Sequence, residues 1–189
     1  MLKIFADGAD KNWMMEMYQN PRIDGFTTNP TLMRKAGISN YETFAKEILK
    51  AIPDKPLSFE VFADDLNEMK RQALEIKNWG TNVYVKIPVM NTQRVSTVPL
   101  IQRLTQAGVQ LNITAILTLE QVHEVADALR GGASAFVSVF AGRIADTGRD
   151  PIPLMQSALE LLRPNSSAEL LWASPREVLN VYQAEAIYL

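Results

Sequence analysis

Residues 82–116 read NVYVKIPVMNTQRVSTVPLIQRLTQAGVQLNITAI, and three patterns follow one another within them. Val83, Tyr84, Val85 and Ile87 form a β-branched and aromatic run that suits a strand. From Val98 to Ala107 the apolar residues recur at helical spacing, and from Gln110 to Ile116 a second β-rich run appears. Strand, helix and strand in this order make one parallel crossover.

The same alternation extends in both directions. Further β-rich runs lie at Lys3 to Ala6, Gly25 to Thr28, Leu57 to Phe62, Ala135 to Phe140 and Glu169 to Ala173, giving seven strands in all. Helical spacing marks stretches such as Tyr41 to Ile52, the second helix of the series, Asp65 to Trp79, Leu119 to Arg130, Ile152 to Leu162 and Pro175 to Ala186, the seventh. Helix-start residues precede several of these: Ser39 and Asn40, Asp64, Thr118 with Gln121 three residues on, and Ser174 with Pro175. Two architectures suit this pattern, a doubly wound sheet and a closed (β/α)8 TIM barrel. A doubly wound nucleotide fold carries a glycine-rich phosphate loop after an early strand, and neither G-x-G-x-x-G nor a P-loop is present. An α/β fold of the barrel type is therefore expected, with the eighth strand and last helix missing, since the sequence stops at Leu189 after its seventh helix. An open barrel would leave unpaired edges on its first and seventh strands, which invites pairing with another chain.

Length and composition bound the function. A chain of 189 residues with 47% apolar content can bury the core of one substantial domain, so a single barrel domain over residues 1–189 is expected. A net charge of −2 gives no reason to expect nucleic acid or an anionic membrane as partner. The absence of cysteine excludes disulfides, thiolate metal sites and a cysteine nucleophile, and fits a reducing compartment. The start, MLKIFADG, lacks the long apolar run of a secretory signal, and no stretch approaches the roughly 18 apolar residues of a membrane span. The expectation is a soluble, cytoplasmic protein.

Polar residues gather where strands give way to loops, which is where barrel enzymes assemble their chemistry: Asp7, Thr27 to Asn29, Asn112 to Thr114, Arg143 and Ser174. Lys86 stands between Val85 and Ile87 on one of the most apolar strands. Burial there favours the neutral amine, a nucleophile for carbonyls; the alternative is a lysine that snorkels to solvent or pairs with a carboxylate. Glu60, between Phe59 and Val61, either meets a buried cation or has its pKa raised toward general acid-base work, and an ion pair with Lys86 serving structure alone is its other reading. Asp7 follows the first strand, with helix capping as its alternative. Arg143 closes the sixth strand and Arg176 opens the seventh helix beside Ser174. Two guanidiniums, a hydroxyl and free helix amides can clamp a phosphate, whereas arginines in exposed ion pairs are the plainer reading. His123, the only histidine, belongs to a solvated helix face, and one histidine cannot build the usual zinc cluster, so no metal site is expected. The tryptophans and the methionines of WMMEMY read as packing.

The strings FADGAD at Phe5 to Asp10, GFTTNPTLM at Gly25 to Met33, FEVFADD at Phe59 to Asp65, VYVKIPV at Val83 to Val89, LNITAI at Leu111 to Ile116, AGRIAD at Ala141 to Asp146 and ASPRE at Ala173 to Glu177 together resemble the transaldolase family, in family order and over nearly the whole chain. TTNP with KIPV at this separation is a highly specific combination. The resemblance implies a class I aldolase-type barrel that moves a dihydroxyacetone unit between sugar phosphates in the pentose phosphate pathway without a cofactor. By the same resemblance Lys86 matches the Schiff-base lysine, Asp7 the aspartate that handles the proton of the C4 hydroxyl, and Glu60 the glutamate that activates a water held by Thr114. Asn29 and Asn112 match the asparagines that grip the dihydroxyacetone hydroxyls, Thr27, Ser138 and Phe140 belong to the same pocket, and Arg143, Ser174 and Arg176 match the phosphate site. Fructose-6-phosphate aldolases tend to have glutamine at the position of Glu60, tyrosine at that of Phe140 and no asparagine at that of Asn112, so these three residues point to transfer. A catalytically silent sugar-phosphate binder is the alternative of another class; it would need the arginines but not Lys86, Asp7 and Glu60 together. Short members of the family imply a homo-oligomer, a pentamer or a decamer built from pentamers.

Overall fold

Apolar alternation and helical spacing become the elements they predict in the computed structural model of the chain, which describes residues 2–188. Two compact units are present, one over Lys3–Lys86 and one from Ile87 onward.

The first unit runs β1 (Ile4–Asp7), α1 (Lys11–Tyr18), β2 (Ile23–Thr27), α2 (Pro30–Lys35), α3 (Tyr41–Ala51), β3 (Leu57–Glu60), α4 (Leu66–Lys77) and β4 (Val83–Pro88), with Lys86 its last residue. These strands pair in sequence order and in parallel, with Asp7 opposite Thr27, Thr27 opposite Ser58 and Glu60 opposite Lys86. Phe26, Ile48, Leu57 and Phe59 are fully buried beneath them. Asp10, Asn29, Asn40 and Asp65 each accept a backbone N–H from the first turn of the helix that follows, which satisfies donors that a helix start otherwise leaves open.

The second unit continues with α5 (Val98–Gln106), β5 (Leu111–Ile116), α6 (Leu119–Ala128), β6 (Ala135–Val139), α7 (Ala141–Asp146), α8 (Ile152–Leu162), β7 (Ala168–Trp172) and α9 (Leu179–Ile187). Again β5, β6 and β7 are parallel and in sequence order. Leu100, Ile101, Leu104, Leu111 and Ile113 are fully buried. α6 opens with the expected reciprocal capping box of Thr118 and Gln121. Ala115 has φ 61°, and the β5–β6 register shifts between Ile113 and Ile116, so three residue steps on β5 face two on β6. This is a bulge.

Strands that follow one another in order with helical crossovers are the mark of the α/β barrel class. All seven predicted strands are present, and no eighth occurs among the described residues. Four expectations change in detail. The cap of α4 is Asp65 rather than Asp64, because its carboxylate reaches the amides of Asn67 and Glu68. α9 begins at Leu179, not Pro175, because Ser174 takes a left-handed φ of 58° that breaks any helix starting there. Arg143 rides on α7 rather than at the end of β6. Trp13 is 37% exposed, whereas Met14 is buried as packing requires. No helix among the described residues is long and apolar enough to cross a membrane.

Candidate active site

In the first unit the register of parallel strands does the assembling. Residues opposite one another in neighbouring strands point to the same face, so the Glu60–Lys86 pairing sets carboxylate and ammonium side by side. Lys86 Nζ lies 3.4 Å from Glu60 Oε2, with side chains 11% and 19% exposed, and it donates to the carbonyl of Thr28 at 3.4 Å. The ion pair that the sequence offers for Glu60 and Lys86 is therefore present. Burial pushes the Glu60 carboxyl up, the charge and hydrogen bond of Lys86 pull it back, and the negative charge of Asp7 pushes it up again; the net direction is upward. A carboxylate so placed is suited to taking and returning a proton.

Asp7 is the last residue of β1 and accepts a hydrogen bond from Thr27 Oγ1 at 2.7 Å, across its own register pair. Capping falls to Asp10 instead, whose carboxylate accepts from Trp13 N, so the capping alternative for Asp7 is closed. Asn29 caps α2 through Oδ1, which accepts from Leu32 N at 3.0 Å. The cap fixes its side chain at the end of β2, a role the sequence reading did not give it. Thr28, 2% exposed, has a buried hydroxyl without a hydrogen-bond partner.

Tyr41 does not stand out in the sequence. Its hydroxyl donates to the backbone carbonyl of Glu60 at 2.9 Å, and its ring meets Phe62, Trp79 and Phe59 edge-on at 4.8, 5.1 and 6.1 Å between centroids. Burial first and the Glu60 charge second hold its phenol well above the usual tyrosine range, so it remains a donor. A tyrosine just after a helix cap carries no sequence signal beyond packing.

The second unit holds the remaining candidates. Ser138 Oγ donates to Asn112 Oδ1 at 2.7 Å, with both residues buried, which turns the amide of Asn112 to a fixed orientation. Thr114, 3% exposed and next to the bulge, also keeps a buried hydroxyl with no partner. Arg143 places its guanidinium 5.9 Å from the Phe140 ring centroid. The expected clamp of free helix amides at Ser174 and Arg176 is absent: the amides of Arg176 and Glu177 both donate to Asn180 Oδ1. The Arg176 guanidinium instead donates through Nε and Nη2 to the two carboxylate oxygens of Asp146, and that contact draws the Asp146 carboxyl below its usual range. Asp146 stands three residues after Arg143 in AGRIAD, so its position was visible in sequence but its partner was not. His123 is exposed and lies 3.7 Å from Asp127 on α6, as expected of a solvated face. Among the described residues no group of three or more His, Cys, Asp or Glu could hold a metal ion.

Solved structures share the fold. KGPDC from Streptococcus mutans, crystallised as a ligand complex, aligns with TM-score 0.57 at 12% identity over 96% of this chain and 83% of its own. A designated aldolase, QR15, aligns with TM-score 0.52 at 14% identity over 100% and 96%. The class is thus an α/β barrel fold. Residues 4–188 match the Transaldolase/Fructose-6-phosphate aldolase family, and the chain belongs to that family. A probable transaldolase of Dehalococcoides mccartyi is 34% identical over 184 residues, 97% of this chain and 82% of the relative. One from Methanococcus maripaludis is 35% identical over 97% and 81%. The protein is an enzyme of the aldolase and transaldolase type.

Proposed function

We propose that this enzyme is a transaldolase that moves a dihydroxyacetone unit from a ketose phosphate, fructose 6-phosphate or sedoheptulose 7-phosphate, to erythrose 4-phosphate or glyceraldehyde 3-phosphate. The observation that carries this reading is the Lys86–Glu60 contact at 3.4 Å, nearly dry and beside Thr28.

Lys86, having passed a proton to Glu60, attacks the C2 carbonyl. Glu60 returns the proton to the carbinolamine hydroxyl, water leaves, and an iminium remains. Asp7 takes the C4 hydroxyl proton, the C3–C4 bond breaks, and its electrons flow into the iminium to give an enamine while the aldose phosphate departs. The enamine carbon then attacks the acceptor aldehyde, Asp7 returns its proton to the new alkoxide, and water hydrolyses the iminium to release the product and free Lys86. Asn29 and Asn112 hold the three-carbon fragment, with Thr27, Ser138 and Phe140 lining its surroundings. The unpartnered Thr114 hydroxyl suits it to holding a water. Arg143, Ser174 and Arg176 receive the phosphate. Glu60 in place of glutamine, Phe140 in place of tyrosine and the presence of Asn112 favour transfer over simple aldol cleavage. A cytoplasmic location and a homo-oligomer belong to the same proposal, the latter supported by the exposed apolar side chains Val178, Leu179 and Tyr182.

Borohydride reduction in the presence of fructose 6-phosphate tests the chemistry: a three-carbon adduct on the Lys86 peptide is expected, and phosphate binding without any adduct would leave a silent binder. Glyceraldehyde 3-phosphate release that needs erythrose 4-phosphate marks a transferase. Release without an acceptor would mark an aldolase.

A further inference from the structure

The AGRIAD segment forms a short α7 whose start has no side-chain cap. Its second residue, Gly142, is buried and does not have a left-handed φ, so backbone freedom does not explain the glycine. Space does. A Cβ built at Gly142 would lie 1.7 Å from the carbonyl oxygen of Ser174, 2.8 Å from its carbonyl carbon and 3.4 Å from Arg176 Cγ. Since such contacts do not fall below 3.0 Å, the Ser174 carbonyl would have to retreat by more than 1 Å to admit a methyl group. The obstacle is backbone, which cannot swing aside as a side chain does.

The Ser174–Glu177 segment is tied down at each end of this contact. Gly142 N donates to Ala173 O at 3.4 Å, Ser174 turns through its left-handed φ of 58°, and the next amides are collected by Asn180. One turn along α7 from Gly142, Asp146 takes the Nε and Nη2 edge of Arg176. A guanidinium held along that edge has its Nη1 edge fixed in direction, the pre-organised fork that an oxyanion requires. Arg143, Arg176 and Asp146 together leave one net positive charge, which suits a phosphate monoester better than a neutral hydroxyl.

We propose that Gly142 is a positioning residue that determines specificity for phosphorylated substrates. Its missing side chain seats the Ser174 carbonyl against α7, and Asp146 then completes the alignment of Arg176. The inference rests on the reading that Arg143, Ser174 and Arg176 receive the substrate phosphate. It adds to that reading a residue that touches no substrate.

The test uses the full chain with Gly142→Ala and, because that variant can fail to fold, Asp146→Asn as a second variant whose packing is unchanged. Binding of inorganic phosphate is measured by titration calorimetry, KM and kcat with fructose 6-phosphate, and borohydride trapping with unphosphorylated dihydroxyacetone. A displacement of about an ångström in a binding group is expected to weaken phosphate and raise KM by about tenfold or more in Gly142→Ala, with trapping of dihydroxyacetone at the wild-type rate. Asp146→Asn is expected to weaken phosphate in the same direction, because loss of the fork geometry outweighs removal of a carboxylate screened by solvent. Unchanged or tighter phosphate binding, or an equal fall in both substrates together with a lower melting point, would overturn the proposal. Should wild type give no borohydride adduct while Gly142→Ala still weakens phosphate, the transaldolase reading fails and the role of Gly142 stands. An adduct in wild type, with phosphate affinity indifferent to residue 142, would keep the transaldolase reading and sink the role of Gly142.

Discussion

Lys86 and Glu60 meet with side chains 11% and 19% exposed, whereas Arg176 and Asp146 meet with 46% and 49% exposed. Both are ion pairs near strand ends, yet water treats them differently. In the first unit the pair has lost most of its hydration, so each charge depends on the other. In the second unit solvent screens the pair, and its value lies in direction rather than energy. Backbone strain divides the same way. Among the described residues the non-glycine residues with positive φ are Arg94, Ala115 and Ser174, all in the second unit. The first unit holds its ion pair by burial and strand register, and the second holds its own beside bent backbone and clamped side chains.

The largest effect should come from breaking the buried pair. Glu60→Gln leaves the Lys86 cation without a counter-charge and is expected to cost about 2–3 kcal/mol in urea unfolding and about 10²–10³-fold in turnover. Lys86→Met combined with Glu60→Gln should recover at least what the single change lost, because neither charge then needs hydration. A double variant no more stable than Glu60→Gln would show that burial is not what separates the two pairs. The pH dependence follows from the upward shift of Glu60. Its folded state keeps the proton longer than the unfolded chain, so stability is full below the ordinary value near 4.5 and declines as pH rises through the folded value. Glu60→Gln should flatten that decline. Lys86→Met alone removes the charge that pulls Glu60 down, so the decline should reach to higher pH, as carboxyl titration by NMR would record.

Tyr41→Phe probes the support behind the buried pair. The ring contacts survive, but the Glu60 carbonyl loses its donor, which is expected to cost about 1–2 kcal/mol. Turnover should fall by about tenfold if the strand end relaxes enough to separate Glu60 from Lys86. A stability loss without any change in turnover would confine Tyr41 to packing.

The first unit was the more legible of the two. A lysine and a glutamate inside apolar strands announce themselves because burial of a charge is anomalous in any sequence, and strand alternation fixes which face they share. What alternation cannot give is the hydroxyl of Tyr41, whose ring looks like any core aromatic. In the second unit Asn112, Ser138 and Thr114 were visible as polar residues in a β-rich run, but the bulge at Ala115 was not, because alanine carries no preference for a left-handed φ. Arg176 reads as the opening of a helix that in fact starts at Leu179: Ser174 and Pro175 imitate a cap, and only the packing of the Ser174 carbonyl on Gly142 shows why the backbone bends away there.

Strain in the second unit gives a smaller effect of opposite sign. Ala115→Gly removes the left-handed penalty, about 1–2 kcal/mol, and restores chain entropy to the unfolded state, about 0.4–1 kcal/mol. A net gain of about 0.5 kcal/mol in urea unfolding is expected. A loss would mean that the alanine methyl packs well enough to offset its own strain.

The smallest effect should fall on the exposed pair, and that is the sharpest contrast with Glu60. Asp146→Asn removes the carboxylate charge opposite Arg176 while keeping an amide of the same shape. Both groups stay hydrated, and a screened contact between exposed side chains adds little to folding. The melting point should therefore stay within replicate error of wild type, at low salt as at high salt. Because the folded Asp146 carboxyl lies below its ordinary value, whatever stability it adds is present at neutral pH and lost only as the solution is acidified through the carboxylate range. A clear drop in melting point at neutral pH would mean that the Arg176–Asp146 contact holds α7 and the Ser174–Glu177 segment together energetically, and the division between a pair fixed by burial and a pair fixed by direction would fail.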